Sequence, residues 1–323
     1  MRQVAGLLAA LVMLIASCSS GANDTTTMAV EAASATTPST TTTTTLPSTT
    51  TTSVPTTTTV EDLFAAPAVY EAIARDYCSS WPDVAGLLFE DSNFIDVPIE
   101  GLAVPDKTGF SKGVSEDVVQ GHDAAVAAIA DTRFSTVDCG GPATVSGDWI
   151  ALPVSASTSD GSGKEGIWLF RIVKDKIQWH FTYGTGAGEV TPAPAEPDSV
   201  LAAEARDFCA IIEGTGYARD ADEFLAAMTD DPAVHNNPEG LYWTGVNEVR
   251  SMVNYYPSND DIWCGDAITT NGQWSAEPIT IDHPDVSQVG MMVHNHIDGK
   301  IHRQFAHFTR TSGFAPWGLP LDE

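Results

Sequence analysis

The chain has 323 residues, with 15 basic against 43 acidic side chains and a net charge of −28. No basic cluster interrupts that balance, which argues against nucleic acid and anionic lipid as partners. Acidity on this scale serves solubility and identifies no cationic ligand.

The first residues read as an export signal, with Arg2 ahead of an apolar run from Val4 to Ile15. Ile15-Ala16-Ser17-Cys18 resembles a bacterial lipoprotein box, which implies cleavage before Cys18 and acylation of its sulfur. An ordinary secretory signal is the alternative. More than one acyl chain would hold the protein firmly on the extracytoplasmic face of the membrane. Residues 19–60 are dominated by Thr, Ser, Ala and Pro, including Thr40 to Thr45, and have too little apolar surface to offset the cost of ordering. They are expected to form an extended tether.

Beyond the tether the chain repeats itself. ARDYC at Ala74 returns as ARDFC at Ala205, GHDAAVAAI at Gly121 as GVNEVRSMV at Gly245, GDWIALP at Gly147 as GQWSAEP at Gly272, and KIQWHF at Lys176 as KIHRQF at Lys300. This order predicts two tandem α+β domains over residues 61–184 and 199–311, a proline-rich linker over 185–198 and a tail over 312–323. In the first domain, helices are predicted over Val69 to Ser80, Asp83 to Phe89 and His122 to Ala130. Strands follow over Trp149 to Ala156, Gly166 to Val173 and Ile177 to Tyr183. The second domain repeats the plan, with helices over Val200 to Ile212, Ala221 to Met228 and Val246 to Tyr255. Its strands are Glu277 to Asp282, Val289 to Ile297 and Lys300 to Thr309, and Asp298-Gly299 marks a tight turn. Helices ahead of an antiparallel sheet make an α+β layer fold.

Each repeat carries one cysteine pair, and the duplication together with export predicts bridges Cys78 to Cys139 and Cys209 to Cys264. Loops of about 60 residues closed this way contribute roughly 4 kcal/mol each on the chain-entropy model. A metal site is the competing reading, but no CxxC or Cys-His spacing accompanies the pairs.

GLLFEDSNFIDVPIEG at Gly86, the Gly-led helix at Gly121 and the hairpin WLFRIVKDKIQWHFTYG at Trp168 resemble the nuclear transport factor 2-like superfamily, in particular its SnoaL-like polyketide cyclase and ketosteroid isomerase branch. FLAAMTDDPAVHNNPEG at Phe224, GVNEVRSMV and MVHNHIDGKIHRQFAHF supply the second copy. The resemblance implies two cone-shaped domains, each with N-terminal helices packed on a curved, mainly antiparallel sheet around an apolar pocket. It also implies that the two copies pair as superfamily dimers do, forming a fused pseudo-dimer.

In the isomerase branch a carboxylate like Asp96 of Phe94-Ile95-Asp96-Val97-Pro98 acts as a general base, and desolvation in an apolar cavity raises its basicity. The second copy has Asn236 there, which cannot take a proton, and the second acid of the branch falls on Trp168 and Met292. Strand parity places Trp168 and Phe170 in the first pocket with His180 and Thr182, so Asp96 and His180 could form an acid–base pair; alternatively, both are structural. The same parity groups Met292, His294 and His296 with His302, Gln304 and Phe308, and puts His235 and Asn236 near the mouth. Three imidazoles could seat a metal, but a polar ligand pocket explains them equally. The sequence reading therefore takes neither metal nor cofactor. It leads to a surface-anchored module that binds a hydrophobic small molecule or a cell-envelope component, or serves as a scaffold. The alternative is a cofactor-free lyase, isomerase or hydrolase in the first domain, with the insertion from Leu102 to Gln120 as a lid or a plain surface loop.

Overall fold

A computed structural model describes residues 64–97, 118–132, 134–159, 161, 163–186, 198–214, 220–237, 241–255, 261–283 and 286–313. The signal and tether, nearly all of the insertion, most of the linker and most of the tail lie outside the described residues.

In chain order the first copy contains α1 (Pro67–Ser79), a short 3-10 turn at Ala85–Leu87, β1 (Leu88–Val97), β2 (Val119–Gln120), α2 (His122–Asp131), β3 (Phe134–Asp138), β4 (Thr144–Ser146), β5 (Trp149–Thr158), β6 (Gly163–Val173) and β7 (Lys176–Gly186). The second contains α3 (Asp198–Ile212), α4 (Ala221–Ala226), β8 (Met228–Asn237), β9 (Leu241–Thr244), α5 (Gly245–Tyr255), β10 (Asp261–Cys264), β11 (Thr269–Asn271), β12 (Trp274–His283), β13 (Val286–Ile297) and β14 (Lys300–Gly313). The helix expected over Asp83 to Phe89 is thus only a 3-10 turn that runs straight into β1.

Both sheets are mixed and have seven strands, in the orders β2-β1-β7-β6-β5-β3 and β10-β12-β13-β14-β8-β9, with β4 added on β5 and β11 on β12. The single parallel pairing in each is β1 with β7 and β8 with β14. The hairpin β6–β7 turns through Lys174 and Asp175, and β13–β14 through Asp298 and Gly299, all at positive φ. That is the backbone of a two-residue turn matched to strand twist. A Cβ at Gly166 would collide with the carbonyl oxygen of Tyr183, and one at Gly290 with that of His307. Glycine is therefore required at both of these equivalent positions.

α1 starts on a proline, which lacks the N–H that a first turn leaves unbonded. Its buried Tyr70, Ala74, Tyr77 and Cys78 recur at helical spacing, and α3 matches them with Leu201, Ala205, Phe208, Cys209 and Ile212. α1 and one face of the first sheet bury a core containing Tyr77, Phe94, Ile150, Leu152, Trp168, Phe170 and Ile172. α3 and the equivalent face of the second sheet bury Phe208, Phe224, Ile279, Met292, Ile301 and Phe308. Disulfides join Cys78 to Cys139 and Cys209 to Cys264, with Cα–Cα distances of 6.2 and 6.4 Å, and each ties the N-terminal helix to its sheet.

The opposite faces of the two sheets share a third cluster. Ile95, Trp149, Ile167, Leu169, Phe181 and Tyr183 of the first sheet pack with Trp274, Ala276, Met291, Val293 and Phe305 of the second. Burying side chains of this size contributes about 1.5–3 kcal/mol each as an upper figure. Polar contacts fix the register of this seam. Trp149 Nε1 donates to Thr309 Oγ1 at 2.9 Å, Tyr183 OH bonds His307 Nε2 at 2.6 Å, and Asn271 Nδ2 donates to the carbonyls of Val154 and Gly166.

Candidate functional site

Alternation along the strands sends Phe94 and Asp96 of β1, Trp168 and Phe170 of β6, and His180 and Thr182 of β7 to the face under α1. There the first copy is almost wholly aromatic. His180 is fully buried, stacks on Phe170 with ring centres 4.7 Å apart and meets Trp168, Phe94, Trp81 and Tyr77 edge-on. Its Nδ1 bonds Tyr77 OH at 3.0 Å. Burial drives the imidazole pKa well below its usual value and the phenol pKa well above, so Tyr77 keeps its proton and donates it to a neutral ring.

Asp96 does not join His180. Register pairs Phe94 with His180 and Asp96 with Thr182, so the carboxylate sits one step further toward the open rim. Its side chain is 44% exposed; Lys164 Nζ pairs with its two oxygens at 3.0 and 3.1 Å, and Thr182 Oγ1 donates to Oδ1. The carboxylate thus faces solvent and Lys164 rather than the ring of His180. Asp96 and His180, which the sequence offered either as an acid–base pair or as structural residues, are not brought together, and Thr182 serves Asp96.

The matching face of the second copy is chemically different. Where the first copy has Leu152 and Phe170, the repeat places Glu277 and His294. Both are essentially unexposed, Glu277 Oε1 lies 3.7 Å from His294 Nδ1, and neither the carboxyl oxygens nor the ring nitrogens make a hydrogen bond within the described residues. Desolvation lifts the Glu277 pKa from 4.5 to about 8, outweighing the opposing charge of Arg206. Burial, then the neighbouring His296, drives that of His294 well below its usual value. At neutral pH the pair is thus a protonated carboxyl beside a neutral imidazole. The adjoining Gln304 leaves Oε1 unbonded and sets Nε2 against Met292 Sδ at 3.5 Å. Phe208 of α3 closes the site from above, its ring 5.2 Å from that of His294.

A hydrogen-bonded chain runs alongside. Ser275 Oγ bonds His296 Nε2 at 2.8 Å, and His296 Nδ1 bonds Glu204 Oε2 of α3 at 2.8 Å. A carboxylate only accepts, so Nδ1 donates to Glu204. The first copy has isoleucine at all three equivalent positions, Ile150, Ile172 and Ile73.

The three histidines offered as metal ligands do not converge. His294 and His296 have ring centres 6.0 Å apart, and both nitrogens of His296 are engaged. His302 falls at a β-bulge between the pairings Ile301↔His296 and Arg303↔Asn295, which breaks the assumed parity. Its Nδ1 meets Thr229 Oγ1 at 3.0 Å and Arg303 Nη1 at 3.2 Å. Among the described residues, one set of potential ligands does come together. The sulfurs of Cys209 and Cys264 and the carboxylate of Glu277 lie within 4.8 Å of one another, although the sulfurs are bonded as a disulfide. Phe308 and Met292 lie in the buried core of the second copy. His235 instead belongs to the seam side, stacked on Phe305 and beside Tyr242. Asn236 lies in β8 opposite Ala306, and its side chain is outside the described set.

No protein-family model matches the chain, and no curated protein matches its sequence. Several solved structures are similar to parts of it. A ketosteroid isomerase candidate from Kribbella flavida DSM 17836 is 18% identical over 37% of this chain and 84% of its own, with a TM-score of 0.32. An LEH-like epoxide hydrolase of M. tuberculosis is 14% identical over 34% and 84%, with a TM-score of 0.29. A SnoaL-like protein of unknown function from Burkholderia thailandensis E264 is 13% identical over 36% and 99%, with a TM-score of 0.30.

Sequence reasoning missed Glu277, Ser275 and Glu204. The signal for the first two stood in the aligned repeats GDWIALP and GQWSAEP, where Ile150 becomes Ser275 and Leu152 becomes Glu277.

Proposed function

We propose that this chain is an exported, lipid-anchored small-molecule-binding protein whose ligand sits on the face of the second sheet beneath α3. One observation carries the reading. Glu277 and His294 are buried with unbonded polar atoms at positions where the sibling copy is apolar. Leaving such groups unpaired costs about 1–3 kcal/mol each, and the fold does not need them, because Leu152 and Phe170 fill the same places. A ligand that bonds them recovers that cost. Its chemistry follows from the walls: an uncharged, largely apolar molecule carrying a hydroxyl or carbonyl, set between the Glu277 O–H donor, the His294 ring and the Gln304 amide. The first copy is the structural partner, and the shared seam is that of a fused pseudo-dimer.

A carboxyl pushed up to about 8 beside an imidazole also favours a second reading, proton transfer on the same ligand with Glu277 as acid or base. Thermal-shift and calorimetric screening of residues 61–323 against uncharged cyclic alcohols, ketones and lactones tests both readings. Binding that disappears in the Glu277→Leu, His294→Phe double variant supports the site, and conversion of the bound compound would move it to catalysis. Binding that survives the double variant would place the ligand elsewhere.

A further inference from the structure

The two disulfides occupy equivalent places but not equivalent surroundings. Around Cys78–Cys139 both cysteines are buried and the nearby strand position holds Leu152. Around Cys209–Cys264, Cys209 is buried, Cys264 is partly exposed, and the Glu277 carboxyl stands within 4.8 Å of both sulfurs without a hydrogen-bond partner. A thiolate expelled into an apolar core is a poor leaving group unless a proton reaches it, and a neighbouring protonated carboxyl supplies one.

We propose that Cys209–Cys264 is a redox-active disulfide that exchanges with external dithiols, with Glu277 as its proton donor and acceptor, whereas Cys78–Cys139 is a structural bridge. An external thiolate attacks Sγ of Cys264, the less buried cysteine, forming a mixed disulfide. The S–S bond breaks toward Cys209, whose thiolate takes the Glu277 proton. The second external thiol, deprotonated, then displaces Cys264 as a thiolate and closes the external disulfide. Solvent protons return to Cys264 and Glu277. Two electrons and two protons pass from the dithiol to the protein. Reoxidation runs the other way, with Glu277 carboxylate removing the Cys209 proton. Reduction unclasps α3 from β10 beside His294, so the redox state would gate access to the second face.

The inference stands on the carboxyl-to-sulfur geometry and does not require the ligand reading, so its test uses no ligand. The folded chain is incubated with dithiothreitol from pH 6 to 9, acid-quenched and differentially alkylated, and each cysteine pair is quantified by mass spectrometry. Cys209–Cys264 is expected to open at least about tenfold faster than Cys78–Cys139. Glu277→Gln and Glu277→Leu, each checked for native Trp fluorescence, should remove most of that advantage and leave the first pair unchanged. Equal opening rates for the two pairs, or Glu277 variants that open the second pair at the native rate, would overturn the proposal.

Discussion

The face beneath α1 and the face beneath α3 are built on one plan and hold opposite chemistry. The first is a largely apolar core of aromatic and aliphatic side chains in which Tyr77 bonds His180 Nδ1, while His180 Nε2 has no partner among the described residues. The second replaces Ile73, Ile150, Leu152, Phe170 and Ile172 with Glu204, Ser275, Glu277, His294 and His296. Because the sibling folds with apolar residues at these places, the polar set is not a requirement of the architecture. The proposed ligand reading rests on this polar set of the second copy and not on the Asp96 motif of the first.

The harshest way to break this comparison is to move the carboxyl across. Leu152→Glu should destabilise the first copy by on the order of 5 kcal/mol, since a carboxyl would enter an aromatic core without partners; urea unfolding of the variant measures it. A loss under about 1 kcal/mol would mean that the two interiors are not different media.

Next is the pH dependence of Glu277. Its folded pKa of about 8 lies above 4.5, so the native state binds the extra proton. The contribution is fully present below about pH 4.5 and is lost as pH rises through about 8, a span worth on the order of 4–5 kcal/mol at most. His294, whose pKa is lowered, works in the opposite sense at acid pH, and Arg206 and Glu213 also act on the carboxyl. The difference in melting behaviour between native protein and Glu277→Gln across pH 5 to 9 isolates the Glu277 part. Parallel curves would show an ordinary carboxylate.

Tyr77→Phe makes the first helix resemble Phe208 and strands His180 Nδ1, for an expected loss of about 1–3 kcal/mol by chemical denaturation. Asp96→Asn cuts a half-exposed ion pair and should change stability by less than about 1 kcal/mol, with ligand binding unaltered. A collapse of binding in that variant would restore Asp96 to the site.

How much of this was legible depends on what kind of signal each residue sends. The α+β class, the strands β5 to β7 and β12 to β14 and both cysteine pairings could be read because hydrophobic alternation and the duplicated cysteine pairs report them directly. β1 and β8 were missed because each carries a register shift against its parallel neighbour, between Leu88 and Asn93 and between Met228 and Ala233, which breaks the period of two. The bulge at His302 defeated parity for the same reason. Asp96 misled because a motif reports position along a strand and not depth in the fold. Glu277 was visible as a letter, but its meaning needed α3 overhead, the disulfide beside it and His294 on the next strand.

Nitrogen NMR of the histidine-labelled chain, titrated with the best compound from the uncharged panel, reads both faces in one sample. The account predicts that the His294 resonances move while those of His180 stay in place, and that the movement is lost in Glu277→Leu. Movement at His180 with His294 silent would contradict it and return the ligand to the first copy.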